Sequence, residues 1–337
     1  MRLGLALPHY DTSLAGRPVS WEGVRDVARM AERAGFDSVW VSDHLFLDWS
    51  KYGGSDETRG CLECWTSLAA IAASTERIRI GSLALCNDLR PPGLVAKMAA
   101  TLDVLSGGRI EVGLGAGWYE PEYRAAGIDF LPAGRRIRKA GEAASLIGRL
   151  LRGEQVSHAG DFYELDEAVV TPTPLQRPNP PVWMGGKGDL LLKTAVASAD
   201  GWNYSWAGDL DAYRDRARAA DRACEQAGRD PNSLRRSVGV YVLAGRDEGD
   251  ARRRFEGLVD VTPPGVLRAD ADGSGVSWDE FRRAHVAGSV TEVIDRLGAF
   301  AEAGVEEVVV GLGTLPFQVA DEDQVSFIGS EIAPALR

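Results

Sequence analysis

The chain has 337 residues, of which 45% are hydrophobic and 26% are charged, and its formal net charge is −11. This acidic balance argues against a general binder of nucleic acid or of anionic membranes. No apolar run approaches the roughly 18 residues of a membrane span, and the first predicted strand begins at Arg2, which leaves no room for a signal peptide. We therefore expect a cytoplasmic protein.

Eight strand-like apolar runs follow one another along the chain. They are Leu3–Leu7, Ser38–Val41, Ile78–Leu85, Ile110–Gly113, Val182–Met184, Gly201–Tyr204, Val238–Leu243 and Val308–Gly311. Most are separated by segments in which apolar residues recur every three or four positions, which is typical of amphipathic helices. Because a crossover helix between parallel strands must cover the outer face of the sheet, this alternation predicts an α/β protein built as a (β/α)8 TIM barrel.

Two segments interrupt the alternation. Residues 152–181, after the fourth helix, are rich in proline and turn residues and predict a small hairpin followed by an extended return. Residues 247–286, after the seventh strand, are charged and weakly patterned, and we interpret them as a second insertion. A typical barrel needs about 250 residues, so the two insertions account for most of the surplus. No linker divides the chain, which predicts one domain over residues 1–337.

Polar residues and glycines gather where the predicted strands end. Asp43 and His44 follow the second strand, Asn87 follows the third, and the run IEVGLGAGWYEPE at Ile110–Glu122 contains the end of the fourth. The fifth strand leads into Met184–Gly188. In (β/α)8 barrels the loops that follow the strands build the catalytic face, so we expect these side chains to meet in one site.

The predicted catalytic set consists of His44, Asp43, Trp118 and Glu120. His44 is the best candidate for acid–base chemistry, because imidazole donates, accepts and titrates near neutral pH. A histidine hydrogen-bonded only for structure is the alternative. Asp43 points to the other side of an extended backbone, so we expect it to orient its neighbours. No metal site is predicted, since His44 lacks a second histidine at useful spacing.

The glycines after the fifth strand predict an anion site. In Met184–Gly188 a strand ends in a tight turn and a helix starts, so that free backbone N–H groups and the positive end of the helix suit a phosphate. Lys187 would add a positive charge to this site. The alternative to an anion site is a glycine turn that binds no ligand. Neither this segment nor GLGAGW is a Walker or G-x-G-x-x-G motif, so neither a nucleotide triphosphatase nor a dinucleotide-binding fold is supported.

These segments carry a resemblance to a known family. In matching order and spacing they are RLGLALP, GFDSVWVSDHL, ECWTSLAAIAAST, RIRIGSLALC, KMAATLDVLSGGRIEVGLGAGWYEPEY and PVWMGG. From Arg2 to Arg337 the chain resembles the luciferase-like monooxygenase superfamily of flavin and deazaflavin oxidoreductases, which are bacterial (β/α)8 barrels. Within it, the chain looks most like the actinobacterial branch that uses the deazaflavin coenzyme F420.

The resemblance implies a set of cofactor-binding residues. They are Leu83, Ala84, Asn87, Gly115, Ala116, Gly117, Gly185, Gly186, Lys187 and Gly188. It implies a non-proline cis peptide at Leu83–Ala84 behind the flavin ring, and it places His44 close to the reactive ring. Trp118 departs from the family's deazaflavin-dependent sugar-phosphate dehydrogenases, which carry a catalytic glutamate there. That activity is therefore put in doubt, and neither Glu120 nor Glu122 is assigned the missing role.

The resemblance implies an F420-dependent oxidoreductase that transfers a hydride between the deazaflavin and a small organic substrate. His44 would bind the substrate or supply the proton, and Trp118 would wall the pocket. The alternative is a two-component monooxygenase that uses flavin mononucleotide (FMN) from a separate flavin reductase. A flavin carrier without turnover is a further alternative, and a metal-dependent hydrolase is disfavoured by the presence of only 4 histidines.

Two further expectations concern binding partners. Arg135, Arg136, Arg138 and Lys139 would meet the acidic tail of the deazaflavin, or they form a solvated helix face. Family members are often dimers, so the resemblance also implies a homodimer. The sequence does not identify the substrate.

Overall fold

The protein is described by a computed structural model that covers residues 1–57, 60–263, 265–267 and 276–337. The strands are β1 (Arg2–Ala6), β2 (Ser38–Val41), β3 (Arg79–Ser82), β4 (Leu85–Cys86), β5 (Ile110–Gly115), β6 (Val156–Ala159), β7 (Glu164–Ala168), β8 (Val182–Gly185), β9 (Gly201–Tyr204), β10 (Arg235–Gly245), β11 (Val286–Ser289) and β12 (Glu307–Gly311). The α-helices are α1 (Trp21–Ala34), α2 (Cys64–Ser74), α3 (Pro92–Ser106), α4 (Glu120–Ala125), α5 (Ala133–Leu151), α6 (Asp189–Ser198), α7 (Leu210–Gln226), α8 (Glu248–Val261), α9 (Trp278–Ala284), α10 (Val290–Glu302) and α11 (Asp323–Glu331).

Eight parallel strands close into a barrel. Each strand pairs with the next in the order β1, β2, β3, β5, β8, β9, β10 and β12. The ring closes where β12 pairs with β1, with Arg2 opposite Glu307. The predicted (β/α)8 barrel is confirmed.

The strand bounds follow the apolar runs closely, with two exceptions. The third predicted strand is divided into β3 and β4 at Leu83–Ala84, which is a cis peptide as the resemblance implied. Strand β11 was not predicted, because its sequence VAGS is short and has no alternating pattern. It pairs with β10 outside the ring.

The first insertion, residues 152–181, contains the predicted hairpin. Strands β6 and β7 pair antiparallel, with His158 opposite Leu165. The second insertion, residues 247–286, is more regular than its composition indicated, since it contains α8 and α9. Asp247 caps α8, and Ser277 and Glu280 form a capping box at the start of α9. Within this insertion, residues 264 and 268–275 lie outside the described residues.

Ion pairs close the amino-terminal end of the barrel. Arg2 contacts two fully buried carboxylates, with Nη1 2.8 Å from Oε1 of Glu111 and Nη2 2.5 Å from Oε2 of Glu307. Arg79 also pairs with Glu111. The opposite, carboxyl end of the strands therefore remains as the open end of the barrel. Among the described residues, no helix is long and apolar enough to cross a lipid bilayer.

Candidate active site

A cavity of about 670 Å³ lies at the carboxyl ends of the barrel strands. Its volume falls within the range of about 300–1,000 Å³ that is usual for ligand and cofactor sites. Most predicted site residues line it: Asp43, His44, Leu83, Ala84, Gly115, Ala116, Gly117, Trp118, Gly185, Gly186 and Lys187. The barrel therefore brings together side chains that are far apart in sequence.

His44 is held by a carboxylate. Nδ1 of His44 lies 2.9 Å from Oε2 of Glu122, a side chain that is 1% exposed. The other carboxylate oxygen accepts hydrogen bonds from the backbone N–H groups of Leu45 and Phe46. Because an ionised carboxylate only accepts hydrogen bonds, Nδ1 carries a proton. Nε2 has no hydrogen-bond partner among the described residues, so it is free for a ligand.

Glu122 is ionised although it is buried. Burial alone would raise its pKa, but the hydrogen bond and charge of His44 and the N–H groups of Phe46 and Leu45 hold the pKa of Glu122 below its usual range. The ionised carboxylate accepts the hydrogen bond from Nδ1 and so fixes the orientation of the imidazole. This arrangement resembles the carboxylate–histidine pairs that enzymes use to orient a general acid or base.

Trp118 stands beside this pair. Its ring lies 5.5 Å from the His44 ring between centroids, at an interplanar angle of 82°. The side chain is 46% exposed, at the edge of the cavity. Trp118 thus limits the access of water to one side of the imidazole.

Asp43 faces a different partner. Its carboxylate forms two hydrogen bonds with Arg90, at 2.7 and 3.2 Å, and accepts the backbone N–H of Cys86 at 3.0 Å. Burial raises the pKa of Asp43, while Arg90 and the Cys86 N–H oppose that effect. Asp43 therefore fastens the end of β2 to β4.

A chain of hydrogen bonds with one defined direction connects three residues from the first two strand ends. Nδ1 of buried His9 lies 2.9 Å from the carbonyl oxygen of Leu7, so Nδ1 carries the proton. Burial lowers the pKa of His9 to about 4, so Nε2 is unprotonated at neutral pH and accepts from Ser42 at 3.1 Å. Ser42 must then accept from the Tyr10 hydroxyl. The hydroxyl proton of Tyr10 is therefore used in the hydrogen bond to Ser42.

The cavity lining contains a buried cation. Arg136 is 7% exposed, its Nε donates to the carbonyl oxygen of Gly117 at 3.3 Å, and its guanidinium lies 3.8 Å from the centre of the Phe130 ring. No carboxylate pairs with it among the described residues. Arg136 also donates to the carbonyl oxygen of Leu131. Because a buried charge without a counterion is costly, an anion bound in the cavity would stabilise Arg136.

Two glycines of the cavity lining adopt backbone conformations that side chains disfavour. Gly117 has φ +71°, and a Cβ there would lie 1.8 Å from the Tyr123 hydroxyl oxygen. Gly186 has φ +147°, and a Cβ there would lie 2.8 Å from Cδ1 of Leu191. Only glycine fits both positions. The two turns therefore keep backbone close to the cavity.

Three predicted site residues do not line the cavity. Asn87 donates to the Tyr163 hydroxyl at 2.9 Å, and Gly188 caps α6. Glu120 is exposed at the start of α4, whereas Glu122 points inward. Residues two positions apart lie on different faces of a helix, which explains why the neighbouring glutamate reaches His44.

Among the four cationic residues of α5 discussed above, the cavity lining includes Arg136 and not the others. Lys139 pairs with Asp88 at 2.7 Å. The lining also contains residues that the sequence analysis did not single out: Tyr10, Trp49, Tyr52, Trp206 and Phe317. The sequence showed only that these aromatic residues follow barrel strands. An aromatic residue in a loop has no further sequence feature that would assign it to a binding site.

Comparisons with known proteins agree with this geometry. The family described as luciferase-like monooxygenase matches residues 1–307. An FMNH2-dependent dimethylsulfone monooxygenase of Pseudomonas putida is 25% identical, over 93% of this chain and 87% of its own. An F420-dependent glucose-6-phosphate dehydrogenase of Amycolatopsis mediterranei is 28% identical, over 94% and 95%. The F420-dependent tetrahydromethanopterin reductase of Methanopyrus kandleri shares the fold, with a TM-score of 0.75 at 22% identity over 100% and 99% of the two chains.

Proposed function

The chain belongs to the luciferase-like monooxygenase family, and on that premise we propose that it uses the deazaflavin coenzyme F420 to transfer a hydride to or from a small organic substrate. The observation that carries this proposal is the His44–Glu122 pair, which presents a free Nε2 to a cavity large enough for a flavin. When bound, the deazaflavin supplies a ring carbon that accepts or gives a hydride, a two-electron step.

The residues of the cavity fit such a cofactor. Gly117 and Gly186 hold turns of the cavity lining that side chains larger than glycine would disrupt, and Arg136 offers a buried positive charge without a carboxylate partner among the described residues. We infer that Arg136 and the backbone of these glycines hold the cofactor phosphate. Lys187 also lines the cavity, where its Nζ donates to the carbonyl oxygen of Trp206 at 3.1 Å.

The proton that accompanies the hydride is handled by His44. In the oxidation of a hydroxyl group, unprotonated Nε2 accepts the proton, and in the reverse direction protonated Nε2 donates it. Glu122 keeps Nδ1 protonated and stabilises the imidazolium that forms. Trp118 shields the imidazole, and Asp43 keeps the strand end in place through Arg90.

The FMN-dependent monooxygenase remains the second candidate, supported by the similarity to the enzyme of Pseudomonas putida. Both cofactors carry a phosphate, so the same glycines and arginine serve either one. This candidate requires a flavin reductase as a partner. The homodimer also stays a prediction, which light scattering of the purified protein would check.

The test is a parallel titration of the purified protein with F420 and with FMN, followed by tryptophan fluorescence. Micromolar or tighter binding of F420, with FMN at least about tenfold weaker, supports the proposal. The reverse preference favours the monooxygenase and directs the search to a reductase. Binding of neither cofactor overturns both.

A further inference from the structure

Trp202 is a buried aromatic residue behind the turn that joins β8 to α6. Its side chain is fully buried, and its ring stacks on that of Tyr213 in α7, with 6.2 Å between centroids and an interplanar angle of 9°. The indole N–H is its single polar group, and it donates to the carbonyl oxygen of Gly186 at 2.8 Å. The indole therefore connects the packing between β9 and α7 with a residue of the cavity lining.

This hydrogen bond sets the orientation of the peptide between Gly186 and Lys187. The peptide bond is trans, and in a trans peptide the carbonyl group and the following N–H point in opposite directions. Because the oxygen of Gly186 is turned to the buried indole, the N–H of Lys187 points away from the helix layer. Both residues line the cavity, so this N–H is presented to it.

The N–H groups that follow along the chain are also available. Within the part of the chain that the structure describes, the backbone N–H groups of residues 187–190 have no hydrogen-bond acceptor. Those of Asp189 and Leu190 belong to the first turn of α6, where a helix leaves its N–H groups unpaired. Aligned N–H groups at the positive end of a helix suit an anion.

A buried cation lies beside the start of the same helix. A Cβ built on Gly134 in the first turn of α5 would lie 3.8 Å from Cδ2 of Leu190, so the starts of α5 and α6 pack side by side. Arg136, two residues after Gly134, is buried and lines the cavity. Its Nε and Nη1 donate to carbonyl oxygens, whereas its Nη2 has no hydrogen-bond partner among the described residues. The unpaired Nη2 is a second donor for an anion at this place.

We propose that Trp202 is a positioning residue for the cofactor phosphate. Its indole holds the carbonyl oxygen of Gly186 away from the cavity and so directs the N–H of Lys187 at a phosphate oxygen. This inference rests on the proposed function, which assigns the phosphate to Arg136 and the glycine turns. Without the indole N–H, the peptide is free to turn its oxygen into the cavity, where the partial negative charge repels the phosphate. The role of Trp202 is therefore specific for the charged group of the cofactor.

The test compares ligands that differ in the phosphate. Trp202→Phe removes the indole N–H and keeps an aromatic ring. FMN and riboflavin differ only in the phosphate, so the ratio of their Kd values isolates the contribution of that group. Each ligand is titrated by its own fluorescence, and F420 and its phosphate-free riboside core are titrated in the same way. We expect Trp202→Phe to weaken the binding of FMN and F420 about tenfold and to leave riboflavin and the riboside core within about twofold.

Trp183→Phe is the matched control. Trp183 lies on the neighbouring strand β8, is 1% exposed, and donates its indole N–H to Oε2 of Glu111 at 2.7 Å, at the closed end of the barrel. The same ring is shortened and one buried hydrogen bond is lost in either variant. Both variants should therefore have a lower Tm, but only Trp202→Phe should change the ratio of the Kd values of FMN and riboflavin.

The outcomes separate this inference from the proposed function. If the unmodified protein binds neither F420 nor FMN, the proposed function is wrong, and the role of Trp202 is wrong with it. If FMN binds no more tightly than riboflavin to the unmodified protein, the phosphate site is wrong. If the phosphate does strengthen binding but Trp202→Phe keeps the ratio, or Trp183→Phe changes it equally, Trp202 has only a structural role and the proposed function stands.

Discussion

Glu122 accepts a hydrogen bond from the imidazole of His44 and so determines how that ring faces the cavity. Its Oε2 lies 2.9 Å from Nδ1, and its Oε1 accepts the N–H groups of two residues that follow His44. One carboxylate thus fixes both the tautomer of the imidazole and the path of the loop after β2. Glu122 is therefore a positioning residue.

Replacing this carboxylate by an amide should slow catalysis without abolishing cofactor binding. Glu122→Gln removes the charge that stabilises the imidazolium, so we expect kcat to fall at least about tenfold with a much smaller change in KM. Glu120→Gln, two residues earlier and exposed, is the matched control and should retain activity. Equal kcat values for the two variants would refute the positioning role.

Replacing His44 should reduce turnover more than replacing Glu122. His44→Ala removes the group that exchanges the proton, so turnover should fall by about 10²–10⁴-fold. Titration with F420 should give an unchanged affinity, and His158→Ala, whose histidine pairs with Glu142 away from the cavity, serves as the control. A loss of less than about threefold with the cofactor bound would remove His44 from the acid–base role.

The fold was predictable because its signals are local. The structure gives two strands the bounds that their apolar runs predicted, Ser38–Val41 and Gly201–Tyr204. A capping motif such as the one that begins at Ser289 spans only four residues and predicts where a helix starts. Each of these patterns is contained in a short segment of the sequence, no longer than one or two helical turns. The order of alternating elements then restricts the sheet to a parallel barrel.

The candidate site was predictable only in part. His44 was visible at a strand end, but its partner is 78 residues away, and the choice between Glu120 and Glu122 depends on which face α4 turns inward. The aromatic residues of the cavity were harder to predict, because a positive φ such as that of Trp206 and Phe317 has no sequence signal in residues other than glycine, asparagine or aspartate.

Arg136 should contribute specifically to phosphate binding. Arg136→Gln removes the buried charge, so the affinity for FMN or F420 should fall about 10- to 100-fold. The analogues that lack the phosphate, riboflavin and the deazaflavin riboside core, should bind the variant and the unmodified protein equally.

Arg138→Gln is the control for this prediction, since Arg138 lies two residues away on the exposed face of α5. Fluorescence titrations at low and high salt provide the measurement. If both arginine variants lose the same affinity, the effect is general electrostatics rather than a site at Arg136.

Gly117 should resist substitution by any larger residue. Gly117→Ala puts a Cβ into the left-handed region and onto the Tyr123 hydroxyl, which itself lies 3.1 Å from Sγ of Cys86. We expect a fall in Tm of at least about 4 °C. Gly188→Ala should leave Tm within about 1 °C, because its φ is −76° and nothing lies within 4 Å of the added Cβ. Calorimetry showing equal Tm values would contradict the steric argument.

The buried acids at the closed end of the barrel predict a dependence of stability on pH. Burial and the charge of nearby Glu111 raise the pKa of Glu307 above its ordinary value of 4.5, although Arg2 opposes the shift. The folded protein therefore holds this proton more tightly than the unfolded chain does. Between about pH 4.5 and neutrality, the contribution of Glu307 to stability falls as the pH rises.

Glu307→Gln removes that dependence while keeping an oxygen for the Trp40 indole, which lies 3.1 Å from Oε1. Relative to the unmodified protein, the variant's free energy of unfolding should improve from about pH 5 to about pH 8, by about 1.4 kcal/mol for each unit of the pKa shift. Glu306→Gln, an exposed neighbour, should follow the unmodified protein. Denaturant unfolding at both pH values gives the measurement, and a constant difference between Glu307→Gln and the unmodified protein would show that Glu307 is already ionised throughout this range.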